Sequence, residues 1–194
     1  MLRIRHFGNT QNVSGKYNNR EKTNQMWNEF KTIIEAENKE DIFEVGLSEV
    51  EFNNSGFKKN IPKDLLEILL DSNGQKNNSM PIFFEFKNHP SGTIKWWFNY
   101  LSLEEIIETY NFIQDYTKNQ IDVNLIPFAK HDKELGDKGT MAFTLNRIDN
   151  SIHRTLFYEY DRFVTVFEFR SEKIANNLNE FLENQILWRT LKIE

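Results

Sequence analysis

Residues 93–106 read Thr-Ile-Lys-Trp-Trp-Phe-Asn-Tyr-Leu-Ser-Leu-Glu-Glu-Ile, and in them a period of two gives way to a helical period. Ile94, Trp96, Phe98 and Tyr100 fall on one face of an extended segment, with Lys95, Trp97 and Asn99 on the other. Ser102 and Glu105 then form an S-x-x-E capping box, in which each side chain accepts a backbone N–H that the helix leaves open. Leu101 and Ile106 stand at the positions of a hydrophobic staple. A strand running straight into a capped helix sets the class: both periods occur in one compact chain.

Working backwards, Met80–Lys87 reads as a partner strand, joined to Thr93–Tyr100 by the Pro/Gly-containing connection Asn88–Gly92, as in an antiparallel hairpin. Before it, Ile61-Pro62 opens a helix whose wide apolar face is Leu65, Leu66, Ile68, Leu69 and Leu70. Pro62 suits the first helical position, and Gly74 of Asn73-Gly74 suits a left-handed C-terminal cap. Residues 39–59 are acidic with weak alternation at Phe43, Val45 and Leu47, and Asn53–Gly56 signals a turn. Trp27, Phe30, Ile33 and Ile34 recur at helical spacing, with Thr23 or Asn24 as cap. Residues 1–22, rich in Asn, Gly, Ser and Thr, read as a flexible or loosely docked arm on a single domain over 23–194.

Working forwards, the helix from Ser102 continues through Ile107, Tyr110 and Ile113. Strands follow at Leu125–Ala129, Met141–Asn146, Thr155–Tyr160 and Val164–Phe169, with a turn at Asp149-Asn150-Ser151. A closing helix starts near Ser171 and aligns Ile174, Leu178, Phe181, Leu182 and Ile186. This order predicts an α+β fold with a mixed, largely antiparallel twisted sheet flanked by helices.

Composition bounds the chemistry. The chain has 194 residues, 17 Phe, no cysteine and a net charge of −5. Without cysteine there is neither disulfide nor thiolate, which permits a reducing cytoplasm. No apolar h-region follows Met1–His6 and no apolar run approaches the roughly 20 residues of a membrane helix, so the expected location is cytoplasmic, with no membrane partner. The best basic cluster, Arg3, Arg5, Lys16 and Arg20, lacks interleaved aromatics, so no direct nucleic-acid binding is expected.

Sites for catalysis are hard to find. His6, His89, His131 and His153 are scattered without an H-x-x-x-H pair, and neither a G-x-S-x-G elbow nor a Gly-rich phosphate loop occurs. Asp132, Glu134 and Asp137 lie close together, but Lys130, Lys133 and Lys138 among them oppose a cation. Glu159 and Asp161, two apart in a strand region, are the nearest paired carboxylates and define a weaker hydrolase reading. No catalytic residue, metal site or cofactor is expected.

Four segments, in order, resemble the SUKH superfamily, which joins a fungal cell-wall assembly regulator to many bacterial immunity proteins. Ile61–Leu66 up to Asn73-Gly74 is similar to the family's "LP..L…NG" helix, and Tyr100–Ile106 to its "L.SLEEI" helix. Leu125-Ile126-Pro127-Phe128-Ala129 is similar to its "IPFA" strand, and Asn179-Glu180-Phe181-Leu182 to its terminal "S..EFL". The chain departs in having Gln75 where a second glycine is common, and in the long loop Lys130–Gly139. The resemblance implies a domain that acts by binding, typically an antidote that occludes a cognate toxin, a nuclease being one candidate. The alternative is a regulatory or scaffold domain with a host partner. Pro62, Gly74, Ser102, Glu105 and Pro127, shared with the family, are structural positions.

A binding role points to surface residues. Trp96 and Trp97 face opposite ways, so both are core only if both sheet faces are covered. Exposed Trp is enriched among binding hot spots. Glu104 and Glu108 on the helix, with Glu159 and Asp161, are the acidic candidates for steering a basic partner.

Overall fold

The computed structural model describes residues 14–57, 59–77, 79–89, 92–116, 124–131, 139–160 and 166–190. For 14–20, 86–89, 92–95, 116, 139, 158–160 and 166–168 it describes the backbone alone. In chain order the elements are α1 (Ser14–Asn38), β1 (Phe43–Val45), α2 (Glu49–Asn54), α3 (Lys63–Asp71), β2 (Ser72–Gln75), β3 (Ile82–His89), β4 (Gly92–Tyr100), α4 (Leu103–Tyr116), β5 (Leu125–His131), β6 (Gly139–Asn146), β7 (Ile152–Tyr160), β8 (Val166–Ala175) and α5 (Leu178–Thr190).

The α+β expectation holds. β3 to β8 form one sheet in sequential order, β1 and β2 form a second small one, and every pairing among the described strands is antiparallel. The hairpin register sets Ile82 opposite Phe98 and Phe84 opposite Trp96, so one face of β3–β4 is continuously apolar. Against it lie Trp27 and Phe30 of α1 and Phe181 and Leu182 of α5, all fully buried. Phe98 stacks on Phe143 with ring centroids 3.8 Å apart, and Phe84 meets Phe181 at 5.8 Å. A smaller cluster of Ile113, Leu125, Ala142 and Phe157 occupies the other face, because each strand residue there neighbours one that points into the main core. α4 reaches both, with Leu103 and Ile106 in the main core and Ile113 in the small one.

Arg189 of α5 ties three elements together. It is almost wholly buried, pairs with Glu37 of α1, donates to the Phe83 carbonyl of β3, and lies 5.8 Å from the Phe30 ring. Gln185 donates to the Glu85 carbonyl at 3.3 Å. Two outward carbonyls of the edge strand β3 are thus satisfied by side chains of α5, which blunts an edge that could otherwise pair with another chain.

Several boundaries move. α1 begins at Ser14, so residues 14–22 of the expected arm are helical and Thr23 is a buried interior residue, not a cap. Residues before Ser14 lie outside the described ones. Pro62 is the N-cap of α3, not its first helical residue. α3 stops at Asp71, and Gly74, although left-handed at φ +84°, lies in β2 instead of capping the helix. Its conformation serves a close approach: a Cβ here would lie 2.4 Å from Ser102 N and 2.8 Å from the Leu101 carbonyl carbon. The closing helix starts at Leu178, because Ser171, Ile174 and Ala175 extend β8 along β7. Its cap is Asn177, whose Oδ1 accepts Glu180 N–H at 2.9 Å. Pro127 sits where the β5–β6 register shifts, a bulge that accommodates a residue without N–H in a central strand.

Gly74→Ala combines left-handed strain with a backbone clash and should lower the unfolding free energy by roughly 2–4 kcal/mol. Gly56→Ala, at φ +71° but with open space around it, should cost only about 1–2 kcal/mol. Urea unfolding of the two variants with unchanged m-values checks the ranking; equal losses would remove the close approach as the reason for Gly74.

Candidate protein-binding site

The start of α4 is built by three independent hydrogen bonds. Ser102 N–H donates to Glu105 Oε2 at 2.7 Å and Glu105 N–H donates to Ser102 Oγ at 3.3 Å, so the expected capping box forms. Leu103 N–H, which the box leaves open, donates to Asn73 Oδ1 at 2.9 Å. Asn73-Gly74 therefore serves α4 more directly than it serves α3. Gln75 completes the junction: its Oε1 accepts Tyr100 N–H at 2.6 Å, and its Nε2 donates to the Met80 carbonyl at 3.2 Å. Leu101 N–H donates to the Phe128 carbonyl at 3.0 Å, which brings in the strand carrying Pro127.

Facing α4 is a segment that alternation alone describes poorly. Leu47 N–H donates to the Leu69 carbonyl at 2.9 Å, fixing Leu47 beside α3. α2 then begins with a second capping box. Ser48 N–H donates to Glu51 Oε2 at 2.8 Å, and Glu51 N–H donates to Ser48 Oγ at 3.2 Å. Ser48 Oγ–H also donates to Glu51 Oε2 at 2.6 Å, and this hydroxyl first, then the Ser48 N–H, holds the Glu51 carboxyl below the usual range. The S-x-x-E spacing at Ser48 and Glu51 was the available sequence signal for this helix.

Between the two lies a groove of about 410 Å³. Leu47, Leu103 and Ile107 give it apolar walls, Ser55 and Asn73 contribute polar atoms, and Glu104 and Glu108 line it from α4. Both glutamates are exposed, and both lie on the helix one turn apart. The electrostatics are one-sided. Phe43–Asn54 carries Glu44, Glu49 and Glu51, and Leu103–Tyr116 carries Glu104, Glu105, Glu108 and Asp115, yet neither segment has a Lys, Arg or His. Phe112, 48% exposed, continues the α4 surface past Glu108.

The other sequence candidates are dispersed. Trp97 is 46% exposed and packs on Phe83 at 4.9 Å between centroids, with Trp188 5.7 Å beyond, so the two tryptophans are not both core. Trp96 is half-buried against the core and meets His131 edge-on at 5.3 Å. Glu159 lies on β7 opposite Phe167, with only its backbone described, and Asp161 lies outside the described residues, as do Asp132, Glu134 and Asp137. Among the described residues no group of three metal-ligating side chains converges, and no helix is long and apolar enough to cross a membrane. A second cleft, between α1 and α3, is lined by Asn24, Glu67 and Asp71. Burial there acts to raise the Asp71 carboxyl, but the Ser72 hydroxyl at 2.7 Å and the Trp27 indole N–H at 2.9 Å prevail and hold it low. That acid is occupied in joining helices. Compared with known proteins, the chain matches no family model, and no curated protein is similar to it in sequence.

If the carboxylates of the groove serve recognition, removing one should not weaken the fold. Glu108→Gln relieves its repulsion with Glu104 and should raise stability by about 0.2–0.5 kcal/mol, a gain that shrinks at high salt. Thermal unfolding at two ionic strengths measures it; a loss of stability would mark Glu108 as a structural acid.

Proposed function

We propose that this chain is a protein-binding domain of SUKH type that neutralises a cognate bacterial toxin by covering it, with the groove beside α4 as the contact face. The observation that carries the reading is the groove itself: apolar walls flanked by two segments that hold only negative charge. Apolar walls reward a side chain buried from water, and unopposed carboxylates steer and register a positively charged partner. A nuclease domain is such a partner, since the surface that holds phosphates must be positive. The family motifs add support of a different kind. The "NG", "SLEEI" and "IPFA" segments, far apart in sequence, meet through Asn73, Ser102 and Phe128 at the root of the groove. Trp97 offers a second anchor on the outer sheet face.

Titration calorimetry against the toxin domain encoded beside this chain should give a one-to-one complex of nanomolar affinity, and co-expression should rescue cells from that toxin. The Glu104→Lys/Glu108→Lys double variant should bind at least tenfold more weakly, about 1.4 kcal/mol, with the loss concentrated in the association rate and reduced by salt. Absence of binding and rescue overturns the immunity reading in favour of a host-partner scaffold. Binding indifferent to the double variant moves the contact away from the groove.

A further inference from the structure

The outer face of the sheet carries a file of hydrogen-bonded side chains that the groove does not use. Asp149 stands in the β6–β7 turn, Ser151 at the foot of β7, His153 on that strand, and Ser171 on β8. In extended backbone the alternate positions 151 and 153 share a face. Ser151 Oγ lies 2.5 Å from Asp149 Oδ1, and Ser151 N–H donates to the same oxygen at 2.9 Å. His153 Nε2 lies 2.8 Å from Ser151 Oγ, and His153 Nδ1 lies 3.1 Å from Ser171 Oγ.

The direction of every bond in the file follows from its end. The Ser151 hydroxyl and its backbone N–H hold the Asp149 carboxyl below the usual range, so that group is an acceptor only. Ser151 must spend its one hydroxyl proton on Asp149, which leaves its oxygen to accept from His153 Nε2–H. A neutral imidazole has a single N–H, so Nδ1 presents its lone pair and accepts the proton of Ser171 Oγ–H. The result is a serine whose hydroxyl points at a base that a carboxylate orients through one intervening hydroxyl. Ser171 is exposed, whereas Thr155 and Thr144, which continue the file at 3.5 and 2.7 Å, are fully buried. Lys173 pairs opposite His153 on the same face and supplies a nearby cation.

We propose that Ser171 is a nucleophile, with His153 as its general base, able to accept acyl or phosphonyl groups from small activated esters at the outer sheet face. In the step, a lone pair of Ser171 Oγ forms the bond to the electrophilic carbon or phosphorus while its proton passes to His153 Nδ1. The leaving group departs with its bonding electrons. The resulting imidazolium keeps its Nε2–H on Ser151, backed by the Asp149 charge. Asp149 and Ser151 act as positioning residues. The inference does not depend on the groove, because the two sites share no residue.

An alkyl fluorophosphonate tests it, with fluoride as leaving group. Incubation of the full chain, followed by intact mass and peptide mapping, should place one phosphonyl group on Ser171, and Ser171→Ala should lack it. His153→Ala should slow the labelling of Ser171 by about 100-fold, and added imidazole should restore much of it, which a merely structural role would not allow. Asp149→Asn should slow it less, with Asp149→Glu recovering part. The β7–β8 ladder and the Arg154–Glu172 ion pair at 2.8 Å on the opposite face hold the hairpin without His153. Mapping on the unaltered chain also decides the question where a variant fails to fold. Label absent from Ser171, or Ser171 labelled as fast without His153 as with it, overturns the proposal.

Discussion

The approach of the Gly74 backbone to Leu101 and Ser102 is the constraint on which the rest of the structure turns. It is closer than any side chain allows, and it sets where α4 can begin. Around it three strands exchange partners. Gln75 takes the last N–H of β4, Asn73 takes the first open N–H of α4, and the Phe128 carbonyl of β5 takes the N–H of Leu101. Each bond satisfies a backbone group that a chain leaving a sheet for a helix would otherwise bury unpaired. The small sheet, the large sheet and α4 are thereby locked at one point, and both walls of the groove are held to it. Gln75 has a role a glycine could not fill, because its side-chain amide accepts the Tyr100 N–H and donates to the Met80 carbonyl.

Legibility in the sequence tracked how local the cause was. The capping box at Ser102, the turn at Asp149–Ser151 and the alternation through Trp96–Tyr100 are set by residues a few positions apart, and each is found as read. Element ends were harder, because they are decided by partners elsewhere. The closing helix reads as starting near Ser171, yet pairing with Thr155 across the ladder keeps that residue in β8 until Asn177 caps α5. Gly74 reads as a helix terminator because its left-handed φ is common there, while its real constraint is a backbone crossing from Leu101 onward. α2 was hidden for another reason. Its six residues include only one buried apolar residue, Phe52, so no helical stripe exists to be seen. Of the site, Glu104 and Glu108 were readable as exposed acids on one helix, but the opposing wall at Leu47 was not, since only the tertiary fold brings it to α4.

The sheet edge disfavours one mode of the proposed binding. A strand with open carbonyls invites strand addition, but Arg189 and Gln185 occupy two of them on β3. Arg189 pays for its burial with an ion pair, a carbonyl and two aromatic rings, so the cover is rigid. Recognition by side-chain faces, through the groove or around Trp97, fits that arrangement better than backbone pairing at this edge.

The charges of α4 separate into two kinds. Glu104 and Glu105 lie in its first turn, where the helix dipole favours a negative charge and where Glu105 also closes the capping box. Helix physics alone accounts for both. Glu108 and Asp115 gain nothing from it: the first lies past the favourable turn and repels Glu104, and the second stands in the last turn, where the dipole favours cations. A helix selected only for stability would carry Lys or Arg there, and this one carries none. In the facing segment Glu49 and Glu51 lie in the first turn of α2 and Glu44 has Lys76 nearby, so under the proposed function Glu108 and Asp115 are the acids that a positive partner would answer.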